Sequence, residues 1–565
     1  MASQCVDMIV GIDVGMSGTG VAYSNLAKHS YRPAPVMEFK TWENRDEEGK
    51  VPTKLVYDTG NIGQGPIAWG FIKNDEPKPP SNHLSAKSFK TKFCPSSSST
   101  MQQQLSDEDL LPPVDVLYEH FLSKLYDHIE KELSTKELTP LGTTWNKASI
   151  EFIFSFPATW DMVAVEKFKG LARKAGFGGH PGHGLVASLT EPEAVAIYSV
   201  NEDKIDLRDD KNILVVDAGG GTIDICFANV KKSGRGDTRL AELKPNIGED
   251  AGSTYIDKQF EELASEELDK VGSERLGNDP KGLAKTMKDG EDFQNSKHGY
   301  TGSYADNEHF LVGIPGLKSN ASFEKADIVN GELRTKWGQL KQMFDEQIAD
   351  IGDKIDEMLI DGKRVVGLPV LRRPDLVILS GGLSSSPYVQ QELRARFNKY
   401  SFHVSSQPQL CVCKGLVYER IHSLYNGSST FTQLCSQESF GILRYEEYDP
   451  WKSYHRLAKK QNRLQKDPMG GGSVVHCVDW LIKKGDEKKP GDKTQGVFHH
   501  KFKKDVQTSA LVGKIDVVSS SEEIPHKIYT PDHVSLNGDV ISADPIIIPA
   551  EPVSIESDIP YGMVV

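Results

Sequence analysis

The chain has 565 residues, 66 basic against 80 acidic side chains, a net charge of −14 and 38% hydrophobic residues. That length exceeds one compact core and suggests three or four subdomains, while the acidic balance excludes broad electrostatic binding to nucleic acid. Nor does any apolar run reach the roughly 18–20 residues that cross a bilayer.

The start, MASQCVDMIVGID, lacks the basic and apolar regions of a signal peptide. The seven cysteines have neither disulfide nor zinc spacing. The expectation is a cytoplasmic, or nuclear, protein with no nucleic-acid partner and no membrane span.

In chain order, the first apolar strand is Met8–Ile12. Residues 74–113 mix Pro, Ser, Lys and Gln, with a Ser tract at Ser96–Ser99, and predict a surface excursion. A strand follows at Ile150–Phe156 and a helix at Asp161–Lys174. Asn212–Val216 and Asp224–Val230 are β-branched runs that suit buried strands. Residues 265–322 are polar and Gly-rich and predict an inserted subdomain or long loops.

From Ala326 to Leu359, apolar residues at Ile328, Leu333, Trp337, Leu340, Phe344, Ile348, Ile351, Ile355 and Leu359 predict one long helix. It feeds a strand at Asp375–Leu379, and Ser386 and Pro387 open a further helix. Residues 455–472 suggest a loop, and 431–565 as a whole predict a mostly β region. The fold class is α/β.

Two glycine motifs carry the chemistry. Gly11-Ile12-Asp13-Val14-Gly15-Met16-Ser17-Gly18 follows an apolar strand, and its free N–H groups can approach a phosphate. Asp13 at the strand end suits Mg²⁺ held through water, since that ion takes oxygen ligands and keeps part of its hydration shell. Val215-Val216-Asp217-Ala218-Gly219-Gly220-Gly221-Thr222 repeats the pattern. A third pair, Gly381-Gly382, lies between a strand and the Ser386 helix, whose N-terminus can receive a phosphate or a ribose. None of these is a dinucleotide fingerprint or a Walker loop.

This ordered trio resembles the actin-like ATPase superfamily, and other segments narrow the resemblance. Phe156-Pro157-Ala158, a helix, then Leu189-Thr190-Glu191-Pro192-Glu193-Ala194, and Ile247–Asp257 resemble 70-kDa heat-shock chaperones. Asp13–Ser24 is similar to the divergent branch called heat shock 70 kDa protein 12. The resemblance covers residues 8–430.

It implies a bilobal ATPase: lobe I at 1–205 with a peripheral insertion at 41–148, lobe II at 206–430 with an upper subdomain at 255–322, and a reduced β-rich region at 431–565. It implies ATP or ADP with Mg²⁺, held by Asp13 and Asp217 through water. Asp217 and Glu191 would handle the attacking water, with Lys90 on the phosphates and Lys92 as the alternative. Gly15 and Ser17 would face Gly219, Gly220, Gly221 and Thr222 across the phosphates. Gly381, Gly382 and Ser385 would line the adenosine pocket. Lys297 and His298 would touch the base, against the plainer reading of a surface helix there. Leu410–Tyr418 around Gly415 would be a hinge.

Departures qualify the expected activity. Met16 replaces a phosphate-touching Thr of the chaperones, and no acidic-leucine linker, helical lid or EEVD-like end is present. The expected function is a chaperone-like, Mg-ATP-binding switch with slow hydrolysis and a protein partner or client. The alternatives are a hydrolysis-deficient scaffold or a small-molecule kinase. The oligomeric state is left open. Arg235-Gly236-Asp237, two glycosylation sequons, His180 with His183, Cys411 with Cys413 (two thiols on a hinge strand) and the basic run Lys501–Lys504 are set aside as turns, chance matches or ordinary surface and core features.

Overall fold

Alternation along two apolar strands fixes what they bury. Met8, Val10 and Ile12 enter one hydrophobic cluster while Ile9 enters another, and Leu214 and Val216 part in the same way from Ile213 and Val215. Period-two side chains on a strand covered on both faces require this split. The computed structural model describes residues 6–28, 34–72, 83–94, 110–203, 205, 207–233, 237–360, 373–467, 472–492, 494 and 517–522, with short strands at 512–513, 535–536 and 546–547.

The first sheet runs His183–Thr190, Ile150–Phe156, Met8–Val14, Gly18–Asn25, Met37–Glu38, and Lys50–Pro52 also pairs with Gly18–Asn25. The second runs Ser401–Val404, Leu376–Ser380, Asn212–Ala218, Ile223–Lys232, Arg239–Glu242, Phe431–Cys435, Glu487–Lys488. The pairing senses match. Met8–Val14 is antiparallel to the strand after it and parallel to Ile150–Phe156, and Asn212–Ala218 is antiparallel to its successor and parallel to Leu376–Ser380.

Helices Val114–Leu133 and Met162–Lys174 cover the outer face of the first sheet. Trp337–Leu359 and Pro387–Arg396 cover the outer face of the second. Between the sheets lie Glu191–Asn201 and Cys411–Asn426, whose buried Val195, Ile197, Leu416 and Val417 join Ile9, Ile153, Ile213 and Val215 in one cluster. Each such fully buried side chain contributes roughly 1.5–3 kcal/mol. The two helices cross closely because Gly415 has no side chain: a Cβ there would lie 2.0 Å from the Ala194 carbonyl oxygen.

Several expectations change. The long helix starts only at Trp337; residues 328–336 form a hairpin of Ile328–Val329 and Glu332–Lys336. Its turn is Asn330-Gly331, both at positive φ, a turn chemistry that overrides helical spacing. Of the two readings offered for 265–322, long loops give way to short helices, Ser273–Leu276, Pro280–Lys288 and Glu291–His298, beside the strand His309–Gly313. Leu410–Tyr418 is not a strand. Cys411 and Cys413 are buried in the first turn of the Cys411–Asn426 helix.

Within the excursion at 74–113, His83–Lys87 is a strand paired with Lys54–Asp58. The 455–472 stretch begins inside a helix, Ser453–Lys460. The described part of 431–565 is otherwise mostly β, centred on Ser439–Glu447 against Ser473–Ile482. Ser96–Ser99, Arg235-Gly236, Lys501–Lys504 and the C-terminal Tyr561–Val565 lie outside the described residues.

Candidate functional site

Asp13 and Asp217 end corresponding strands of the two sheets. Asp217 is registered antiparallel to Asp224 and parallel to Ser380, and Asp13 antiparallel to Gly20. The turns after them face one another. A Cβ at Gly221 would sit 2.8 Å from Met16 Cγ, and one at Gly220 3.2 Å from Ser17 Oγ. The third turn is equally constrained: Gly381 has φ +89°, and a Cβ would meet the Ala218 carbonyl oxygen at 2.3 Å.

A cavity of about 250 Å³ opens between the turns. It is lined by Asp13, Gly15, Ser17, Lys90, Glu191, Asp217, Gly219, Gly220, Gly221, Thr222, Gly381 and Gly382, all singled out from the sequence, together with Met16 and Lys50. Helix and loop packing position its charges. Glu191 opens the helix Glu191–Asn201, and the Glu193 carboxylate accepts the Thr190 backbone N–H at 2.6 Å, fixing that helix start. Lys90 follows Phe89, which is buried against Tyr118 and Phe121, and precedes Phe93, which is buried against Tyr118 and Trp160. With both rings inward, Lys90 reaches Glu191 in a buried ion pair, whereas Lys92 is exposed.

Asp13, Lys90, Glu191 and Asp217 are 4, 5, 6 and 7% exposed, so their charges act with little water between them. Burial, followed by the Glu191 and Asp13 carboxylates, pushes the Asp217 acid up to about 7. Burial also raises Glu191, against the pull of Lys90. Asp224 rises well above the usual range through burial and Glu191.

Three expected residues stand apart from this lining. Ser385 does not line the cavity; its hydroxyl donates to the Gly381 carbonyl at 2.9 Å and braces that turn. Lys297 is buried in an ion pair with Asp257 and, like His298, lies outside this lining.

Three features escaped the sequence reading. Asp224 accepts the Ala158 backbone N–H at 2.6 Å, tying the segment after Ile150–Phe156 to the second sheet; its place in the repeated motif was the available signal. The start of the Ser253–Asp269 helix packs on the glycine turn, with Ser253 and Thr254 N–H groups donating to the Gly219 and Gly220 carbonyls. Lys50 carries no motif at all; only the pairing of Gly20 with Lys50 brings it to the site.

Lys50 bears on the metal expectation. Its ammonium lies 2.7 Å from Asp13 Oδ2, so an ion held through water at Asp13 would share that carboxylate with a lysine. Among the described residues, Glu446, His455 and Cys477 are the one buried cluster close enough to hold a metal. Its chemistry speaks against one. His455 Nδ1 accepts the Asp449 backbone N–H at 2.9 Å, which leaves the proton on Nε2, facing Glu446 at 3.2 Å. Glu446 also binds Arg444, Lys452 and Tyr454. No helix among the described residues is long and apolar enough to cross a membrane.

No protein-family model matches the chain. Heat shock 70 kDa protein 12A of Mus musculus is 21% identical over 314 residues, covering 45% of each chain, and its Homo sapiens counterpart is 20% identical over the same length and coverage. The chain is distantly similar to a 70-kDa heat-shock protein. It spans less than half the length of these curated relatives. The similarity suggests an Hsp70- or actin-like ATPase relationship, with which the mixed α/β fold is consistent, and it points to nucleotide binding.

Proposed function

We propose that the protein binds ATP or ADP with its phosphates between the two glycine turns and hydrolyses ATP slowly. Residues 1–205 and 206–430 form the two lobes of an actin-like ATPase, and closure of those lobes controls a surface for a protein partner. The carrying observation is the pair of facing turns around one cavity that also holds Lys90, Glu191 and Asp217. Backbone N–H groups of glycine turns suit phosphate oxygens. Lys90 offsets the charge of the transferred phosphoryl group, Glu191 orients the water, and Asp217, with an acid near neutrality, accepts its proton.

Single-turnover hydrolysis of ATP by the wild type and by Asp217→Ala tests this. Slow turnover that the substitution abolishes supports it. Equal rates in both would contradict it.

A second reading, a nucleotide-binding scaffold, is favoured by Met16. Its thioether packs on Gly221 and offers no hydrogen bond to a phosphate. Binding without any Asp217-dependent turnover would select that reading.

A further inference from the structure

We propose that the Lys50 ammonium is a built-in counter-cation of this cavity, so that a nucleoside diphosphate binds here without a divalent metal ion. The inference rests on the nucleotide reading of the same site and specifies how its charge is balanced.

The position of Lys50 is set by the backbone rather than by chance contact of a long side chain. Lys50–Pro52 pairs antiparallel with Gly18–Asn25, placing Lys50 opposite Gly20 and Val51 opposite Thr19, and Val51 is 1% exposed. The stem crosses the glycine-rich strand: a Cβ at Gly20 would approach Lys50 Cε at 3.2 Å, and one at Gly15 would lie 3.6 Å from Lys50 Nζ. The ammonium is therefore held beside the first turn, 2.7 Å from Asp13 Oδ2. Asp217 on the opposite turn also favours its charged form. The second lysine of the cavity, Lys90, pairs with Glu191 and, in the reading above, serves the transferred phosphoryl group rather than the diphosphate.

An ammonium has three N–H donors. One is used by Asp13, leaving donors for oxygens of a phosphate seated on the Gly15–Gly18 turn. A divalent ion bridging Asp13 to a phosphate would have to displace this ammonium or sit beside it, two cations in a poorly hydrated site. Lys50 thus supplies the positive charge that a pair of aspartates facing a phosphate requires.

The test is calorimetric titration of the full chain with ADP, in EDTA and in excess Mg²⁺, for wild type, Lys50→Ala and Lys50→Arg. The expected wild-type dissociation constants agree within about threefold between the two conditions. Lys50→Ala is expected to weaken binding at least about tenfold in EDTA and to regain much of it with Mg²⁺, whereas Lys50→Arg stays metal-independent. If Lys50→Ala does not fold, Asp13→Asn/Lys50→Met removes the pair together and is expected to show the same loss in EDTA. Wild-type binding seen only with Mg²⁺ would overturn the inference and leave nucleotide binding intact. So would a Lys50→Ala protein whose affinities in EDTA and in Mg²⁺ stand in the wild-type ratio. Absence of ADP binding in both conditions would remove the nucleotide reading and this inference with it.

Discussion

Asp13 and Asp217 end strands of the same pairing pattern and precede glycine turns, yet their surroundings differ. Asp13 is paired with Lys50, whereas Asp217 lies among carboxylates and is pushed up to about 7. Topology repeats between the two sheets; electrostatics does not. The partners differ where the topology does not: the edge strand that brings Lys50 opposite Gly20 has a counterpart in Ile247–Glu249, which brings Gly248 opposite Asp224, and Lys90 comes from a loop pinned by Phe89 and Phe93. In the proposed function, the first turn holds charge and the second moves a proton.

The sharpest way to break this contrast is at Asp217. Asp217→Ala is expected to slow single-turnover ATP hydrolysis by roughly 10²–10⁴-fold, the usual share of a positioned proton acceptor, in quench-flow measurements. Comparable hydrolysis in both proteins would mean that the two aspartates are not divided in role.

Next in size is the Lys90–Glu191 pair. Lys90→Met leaves a buried carboxylate unpaired and is expected to cost roughly 3–5 kcal/mol in urea unfolding. Lys90→Met/Glu191→Gln should recover most of that loss; a double variant as unstable as the single one would show that the lysine acts through packing alone.

Away from the cavity, Glu438 joins the C-terminal region to the Met162–Lys174 helix by accepting the Met162 backbone N–H at 3.4 Å. Burial, then Asp161, pushes its acid up to about 7. A carboxyl raised in the folded state is ionised more readily when unfolded, so its contribution falls as pH rises from about 4.5 to about 7. The loss is on the order of 3 kcal/mol. Glu438→Gln should flatten that part of the stability profile; an unchanged slope in thermal melts between pH 5 and 8 would contradict it.

A smaller effect probes how closely the turns face. Gly221→Ala is expected to cost about 1–3 kcal/mol by crowding Met16, and Met16→Ala should relieve it. The smallest concerns the hairpin before the long helix. Asn330 adopts φ 55°, and Asn330→Ala should lower stability by about 1 kcal/mol in urea unfolding.

Local signals made much of the site legible. The strand–Asp–glycine order located both turns, and Asp161, capping through the Ala164 N–H at 2.8 Å, marked its helix correctly. Where a local turn competed with longer periodicity the reading failed, as at Asn330-Gly331. Lys50 was invisible because nothing in its own neighbourhood points to a phosphate; sheet register alone delivers it. Lys297 shows the same limit from the other side. A motif-like helix suggested a ligand contact, while Asp257, distant in sequence, takes the ammonium. Residue type and spacing reveal backbone cradles well, because glycine is demanded by the chain itself. They reveal charge partners poorly, because any lysine that register brings near will serve.

The measurement that tests the central claim most directly is calorimetric titration of the wild-type chain with ATP and ADP in Mg²⁺ buffer. Saturable one-site binding, with a dissociation constant of about 1 μM or below, is the predicted result. No saturable heat up to millimolar nucleotide would contradict a phosphate site between the two glycine turns.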